Sequence, residues 1–229
     1  MRLLFLPSLF FLLFQNILSQ NLITLRDDFR GVYISPTQYG QRYEIEEGSP
    51  YLNLEFAPAK IGDREKTYLV RFNVYEGSVE VWIQENKVIE LNNSSDERIT
   101  MLDGSNTEYV ITTYLDPKGD LKKGFLEELK VSNSYTLYKK ENVKYFKKVK
   151  AGAYKEEQPA RFETAPPQFY FKLVDDDATI RYLSNNKKKF LSIFDPQNAD
   201  KVKALIKKEK LSLTKKEDII RILEGIYGG

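Results

Sequence analysis

Two arms of strict alternation, Tyr68-Leu-Val-Arg-Phe-Asn-Val-Tyr75 and Ser78-Val-Glu-Val-Trp-Ile-Gln84, flank the dipeptide Glu76-Gly77. A period of two belongs to strands that turn one face to a core, and a Gly between two such arms signals a hairpin. Turning at Glu76-Gly77 predicts Val74 opposite Val79, Phe72 opposite Val81 and Val70 opposite Ile83, so that one face is wholly apolar. A slip of a single residue would bury Glu80 in that face, and the register is expected to follow from the match. On the other face Arg71 falls opposite Trp82 and Asn73 opposite Glu80, with Leu69 and Tyr75 beside them.

Further strands are expected at Glu108–Leu115, Gly124–Val131, Tyr135–Lys139, Phe169–Val174 and Thr179–Leu183. Between them lie the turn compositions Asp103-Gly104, Pro117 to Gly119, Ser132 to Ser134 and Asp175 to Asp177. Residues 155–167, with Pro159, Pro166 and Pro167, read as an irregular connector, because proline removes a ladder donor from a central strand. No repeat of about 20 to 50 residues is present, which disfavours a solenoid or propeller.

From residue 184 the period changes. Phe190, Leu191 and Phe194 follow the turn residues Ser184 to Asn186, and Val202, Leu205 and Ile206 follow Asp195-Pro196. Thr214-Lys-Lys-Glu217 has the form of a capping box, after which Ile219, Ile222, Leu223 and Ile226 recur at helical spacing. Helices this short are marginal alone and must dock. The expected fold is α+β: an antiparallel, mostly meandering sheet over residues 30–183, covered by a C-terminal segment of two or three short helices.

The 229 residues include no Cys and no His. That excludes a Ser-His-Asp triad, a thiol nucleophile, a zinc finger, an iron–sulfur cluster and a disulfide framework. Carboxylate, Lys, Tyr, Ser and Thr chemistry and oxygen-ligated metals remain. No cofactor motif is present, so none is expected. At the N-terminus Arg2 precedes the apolar run Leu3 to Phe14, shorter than the roughly 20 residues of a membrane span, and Ile17 and Ser19 occupy the −3 and −1 positions of a cleavage site. Residues 1–19 therefore read as a signal peptide and 20–229 as a single exported domain, mostly β to residue 183 and helical beyond. The alternative is an uncleaved N-terminal anchor. No later segment has a comparable apolar run, so no transmembrane span is expected after cleavage. A Cys-free chain in an oxidising compartment is held by packing alone.

Charge is unevenly distributed. Residues 20–119 hold 10 Lys+Arg against 17 Asp+Glu, and residues 120–229 hold 24 against 16. A basic half suits nucleic acid or an anionic membrane surface. Export argues against nucleic acid and leaves peripheral contact with an anionic membrane surface. The Lys-rich stretches (Lys147, Lys148 and Lys150; Lys187 to Lys189; Lys207, Lys208 and Lys210) flank apolar residues at regular spacing and read as solvated faces.

Several segments together resemble a family: Gly48-Ser-Pro-Tyr-Leu52 with Phe56, Arg71-Phe-Asn-Val-Tyr75 with Glu80, Gly124-Phe-Leu-Glu-Glu-Leu129 with Leu137-Tyr-Lys-Lys140, and a tail of Lys187-Lys-Lys-Phe-Leu191, Ile206-Lys-Lys208 and Glu217-Asp-Ile-Ile220 with Leu223 and Tyr227. They are similar to exported proteins of uncharacterised function common in Bacteroidetes, over Gly48 to Tyr227. The resemblance implies a cell-envelope or secreted setting in a Gram-negative bacterium and carries no catalytic signature.

Three constellations bear on chemistry. Asp175-Asp-Asp177 lacks the ligand spacing and turn Gly of a calcium loop and reads as a hairpin loop. Glu80 and Glu127 exemplify carboxylates that would make a glycosidase pair if held about 5 to 9.5 Å apart. Arg71, Asn73, Tyr75, Glu80 and Trp82 on one sheet face combine the residue types of a recognition surface. The same five residues also suit a second packed face, with Arg71 stacked on Trp82 and the C-terminal helices as cover. The reading is an exported, non-catalytic binding or structural module whose partner is an envelope protein or polymer. The competing class is a carboxylate-dependent hydrolase acting on an envelope polymer, which would need a cleft with two convergent acidic groups of separated pKa. N-terminal sequencing of the exported protein is expected to begin at Gln20 or within about two residues of it. An intact Met1 in the membrane fraction would reverse that expectation.

Overall fold

The structure, a computed structural model, describes residues 34–37, 45–84, 87–91, 97–152, 156–174 and 180–228. The expected signal peptide, its cleavage point before Gln20 and the turn Asp175 to Asp177 lie outside the described residues. The fold is α+β. Eleven strands form one mostly antiparallel sheet: β1 Ile34–Thr37, β2 Ala57–Ile61, β3 Tyr68–Asn73, β4 Ser78–Gln84, β5 Lys87–Leu91, β6 Arg98–Met101, β7 Glu108–Leu115, β8 Leu121–Val131, β9 Tyr135–Phe146, β10 Arg161–Leu173 and β11 Ile180–Leu183. Three helices follow, α1 Lys187–Leu191, α2 Pro196–Glu209 and α3 Lys216–Tyr227. Among the described residues no helix is long and apolar enough to cross a membrane.

The strand order is β1-β5-β4-β3-β2-β6-β7-β11-β10-β9-β8, with a further pairing of β7 to β8. That last pairing closes β7, β8, β9, β10 and β11 into a five-strand ring. Strands that alternate in direction around an odd ring must include a parallel pair. Here it is β11 with β7, through Ile180↔Tyr114 and Arg181↔Leu115, while the other four ring pairings are antiparallel. Each ring strand sends one large side chain to a common core: Tyr114, Leu126, Tyr138, Tyr170 and Ile180. A second core gathers Val70, Phe72, Val79 and Val81 of the hairpin with Tyr109 and Phe125, the Phe72 ring lying 4.3 Å from Tyr109 and 4.9 Å from Phe125.

The third core is the helix layer. Phe190, Phe194, Val202, Ile206, Ile219, Ile222 and Leu223 pack on Tyr135, Leu137, Phe169, Phe171 and Leu183 of β9 to β11. The helices therefore cover the outside of the ring, and not the Arg71 face of the hairpin. Asn186 caps α1 by accepting the N–H groups of Lys188 and Lys189, and Asp195 caps α2 by accepting that of Asn198. The Thr214 box does not form: Lys215 occupies the N-cap of α3 with no side-chain bond. Asp218 instead turns back to accept the Ser212 N–H at 2.8 Å, and Thr214 bonds the Ser212 side chain.

Two other expectations need correction. The hairpin pairs Val70↔Val81, Phe72↔Val79, Arg71↔Glu80 and Leu69↔Trp82, two residues away from the register expected. Asn73 enforces the change: its carbonyl accepts the Gly77 N–H at 2.9 Å and its side chain accepts that of Glu76 at 3.0 Å, making Val74 to Gly77 a four-residue loop that ends on Gly77 at φ 71°. A two-residue shift leaves every side chain on its expected face, so alternation alone does not detect it. The Pro-bearing segment is likewise partly a strand. Pro166 and Pro167 lie in β10, in a bulge between Ala165↔Asn142 and Gln168↔Lys140, and β11 pairs only Phe169 to Phe171. The prolines occupy a stretch where that edge needs no donor.

Leu223 is fully buried in the helix layer. Leu223→Ala is expected to cost about 2 to 5 kcal/mol, and Thr214→Ala, which caps nothing, to stay within about 0.5 kcal/mol of wild type. Urea denaturation of the two variants checks the order, and equal losses would count against both assignments.

Candidate functional site

The second face of the hairpin is covered by the segment that precedes β2. Gly48 makes this approach possible: at φ 74°, a Cβ there would lie 2.1 Å from the Phe162 carbonyl oxygen. Beyond it the chain runs beside β3, with Pro50 accepting the Val74 N–H at 2.8 Å and Leu52 donating to the Phe72 carbonyl at 3.0 Å. Tyr51 and Phe56 thereby lie over Arg71, their ring centres 3.6 and 4.6 Å from its guanidinium carbon. Arg71 donates to Glu80 at 2.6 Å and to the Leu54 carbonyl at 3.1 Å, and the Tyr51 hydroxyl donates to the other Glu80 oxygen at 3.1 Å.

This arrangement divides the five candidate residues. Arg71, Asn73 and Glu80 are buried polar groups whose bonds are internal, whereas Tyr75 and Trp82 each stay 41% exposed. Arg71 stacks on Tyr51 and Phe56 in place of the Trp82 expected. Glu80 faces Arg71, and Glu127 is held by Lys139 at 2.7 Å. Tyr75, at the β3–β4 loop, packs edge-on against Phe162 and Tyr145 at 5.2 and 6.1 Å. That loop leans over one end of the five-strand ring, where a cleft of about 350 Å³ opens.

The cleft is lined by Tyr75, Glu76 and Gly77 from the loop and by Tyr114, Asp116, Pro117, Lys122, Lys123, Lys140, Gln168 and Tyr170 from the ring. Alternation explains the convergence. Lys122 shares a face of β8 with the inward Leu126, Lys140 lies two residues beyond the inward Tyr138, and Gln168 two before the inward Tyr170. The pairs Tyr114↔Lys122 and Gln168↔Lys140 set them at one level of the ring, above its apolar core.

The electrostatics of the lining are uneven. Burial, with Asp116 adding to it, pushes the Tyr114 hydroxyl up to about 12, and burial also raises Tyr170, so both remain protonated donors. The Tyr170 hydroxyl donates to Gln168 at 2.9 Å. Burial pushes the Asp116 carboxyl up, but the N–H groups of Asp120 and Lys118, at 2.9 and 2.8 Å, together with the neighbouring lysines, outweigh it and hold the group below its ordinary value. Burial pushes the Lys140 ammonium down, and among the described residues no anion acts to restore it. The adjacent Lys139 points the other way and is paired with Glu127 and Glu141 at 2.7 and 2.8 Å.

Of the five recognition-face residues, Tyr75 alone reaches this cleft. The ring lysines were concealed by their context, since β9 alternates visibly but nothing local says that its Tyr138 and Lys140 face the inside of a closed ring. No protein-family model, curated protein or solved structure matches this chain. Glu80→Ala would strand the Arg71 guanidinium beneath Tyr51 and Phe56 and is expected to cost about 3 to 5 kcal/mol in urea denaturation. Exposed Trp82 gives the contrast, with Trp82→Ala expected at about 1 kcal/mol or less.

Proposed function

We propose that this chain is an exported, non-catalytic binding module of the cell envelope or secreted space, and that it holds an envelope polymer at the ring-end cleft with Tyr75 as its aromatic contact. The observation that carries the reading is the composition of the cleft, where Tyr75, Tyr114 and Tyr170 stand with Lys122, Lys123 and Lys140. Grooves of aromatic and basic character at the mouth of a closed strand ring are favourable ligand sites. The carboxylates argue in the same direction. Asp116 is engaged by its own turn and sits below its ordinary pKa, the reverse of a general acid, and Glu76 stands on the exposed loop at the rim. Export is supported by the apolar run Leu3 to Phe14 and by the resemblance to exported proteins of Bacteroidetes.

Affinity electrophoresis of the exported chain through gels containing its own envelope polysaccharide tests the reading. Retardation is expected, without release of reducing ends, and Tyr75→Ala is expected to weaken it by about tenfold or more, as for an aromatic hot spot. Release of reducing ends that disappears in Asp116→Asn would establish the hydrolase class instead.

A further inference from the structure

We infer that the ring-end cleft binds an acidic sugar residue, with Lys140 and Lys122 meeting its charged group and Tyr75 its ring face. The inference rests on the binding-module reading above and names its ligand.

Lys140 is the starting point. It lies on the inward face of β9, half-buried, opposite Gln168 and one step above Tyr138. A desolvated ammonium is unfavourable without a counter-charge, and among the described residues no carboxylate lies within salt-bridge distance of it. Buried cations are usually paired or replaced by apolar groups, and at the adjacent position this chain pairs Lys139 with two carboxylates. Lys122 on the neighbouring strand lines the same cleft with Asp116 acting on it, so Lys140 is the cation that the concavity leaves to be met. A half-buried cation without a counter-charge favours an anion that enters beside it.

The remainder of the lining narrows the anion. The Tyr114 hydroxyl and the Gln168 side chain supply neutral hydrogen-bonding groups, and Asp116 and Glu76 supply acceptors suited to hydroxyl groups on the ligand. Tyr75 presents an exposed ring, held in place by Phe162 and Tyr145, against which the C–H face of a sugar can pack. A bare inorganic anion would make no use of Tyr75, and a neutral sugar would leave Lys140 uncompensated. A ligand that is anionic, hydroxylated and apolar on one face uses all three.

The test is an NMR titration of the ¹⁵N-labelled exported chain with a galacturonate disaccharide, its neutral galactose counterpart and inorganic phosphate, at matched ionic strength. Saturable shifts are expected at Glu76, Gly77, Lys122, Lys140 and Gln168 with the acidic disaccharide, with the other two probes at least about tenfold weaker. Lys140→Met is expected to weaken the acidic disaccharide by about tenfold or more, to leave the neutral one unchanged and to melt no lower than wild type. Equal affinity for the acidic and neutral disaccharides, phosphate binding as tight as the disaccharide, an unaffected Lys140→Met, or no saturable shift at all would each overturn the inference. Should that happen while gels of envelope polysaccharide still retard the protein, the binding-module reading stands without it. Loss of retardation as well removes both.

Discussion

The pairing of β7 with β8 is the constraint on which the rest of this structure depends. Its register runs without interruption from Tyr109↔Glu127 to Leu115↔Leu121. The parallel seam of β11 with β7 that completes the ring is far shorter, Ile180↔Tyr114 and Arg181↔Leu115. Closure thus relies on β8, which also links all three cores. Phe125 enters the core under the hairpin, Leu126 the interior of the ring and Leu129 the helix layer. A strand normally serves two faces. β8 serves three regions because its first half pairs with β7 and its second with β9, and because a bulge between Glu128 and Lys130 redirects Leu129. Closure also removes edges that would otherwise be open to pairing with other chains.

Arg71 and Glu80 show how a polar pair can choose between registers that an apolar face does not distinguish. With the loop two residues shorter, Val70, Phe72 and Val74 would meet valines and Ile83 equally well, and the buried face would be as apolar as it is now. Only in the observed register does Arg71 stand directly opposite Glu80. Taking both charges out of water is unfavourable, and the net stabilisation from such a pair is small. Misalignment is the costlier state, because it would bury each charge without the other beneath the Tyr51 and Phe56 cover. The pair therefore acts mainly on specificity, in concert with the Asn73 bonds that fix the loop.

What the sequence disclosed follows the range of the interactions involved. The α+β class, the hairpin, β7 at its observed bounds Glu108–Leu115 and the buried stripe of α3 were all legible, since each is encoded by periodicity within a dozen residues. The short strands β2, β5 and β6 were not, because Ala57–Ile61, Lys87–Leu91 and Arg98–Met101 are too brief to show a period. Two local rules misled. Proline disfavours a strand, yet at Pro166 and Pro167 a bulge in β10 admits it. Thr214 has the spacing of a cap, but Asp218, four residues on, secures that turn from the other side. The cleft escaped notice for a different reason. Lys122, Lys140 and Gln168 come from three strands and meet only through ring closure, which no window of sequence contains.

The lysines of the ring mouth bear on why the basic half of the chain is basic. Several cations of that half find partners: Lys148 with Glu46 at 3.0 Å, Arg161 with Glu163 at 2.6 Å, Arg221 with Glu209 at 3.0 Å, and Lys130 with Glu224. These pairs lie on outer surfaces, where water screens them and they contribute little to stability. Inside the ring the conditions reverse. Low polarity beneath the cleft, from Leu126, Tyr138 and Ile180, strengthens the uncompensated charge of Lys140 at its mouth. Packing alone would favour an apolar residue at Lys140, as at Tyr138 directly below it. A ring that retains a lysine there gives up stability that the fold could have had, and what it gains in exchange is a concavity whose field is set by its own strands and directed at whatever enters.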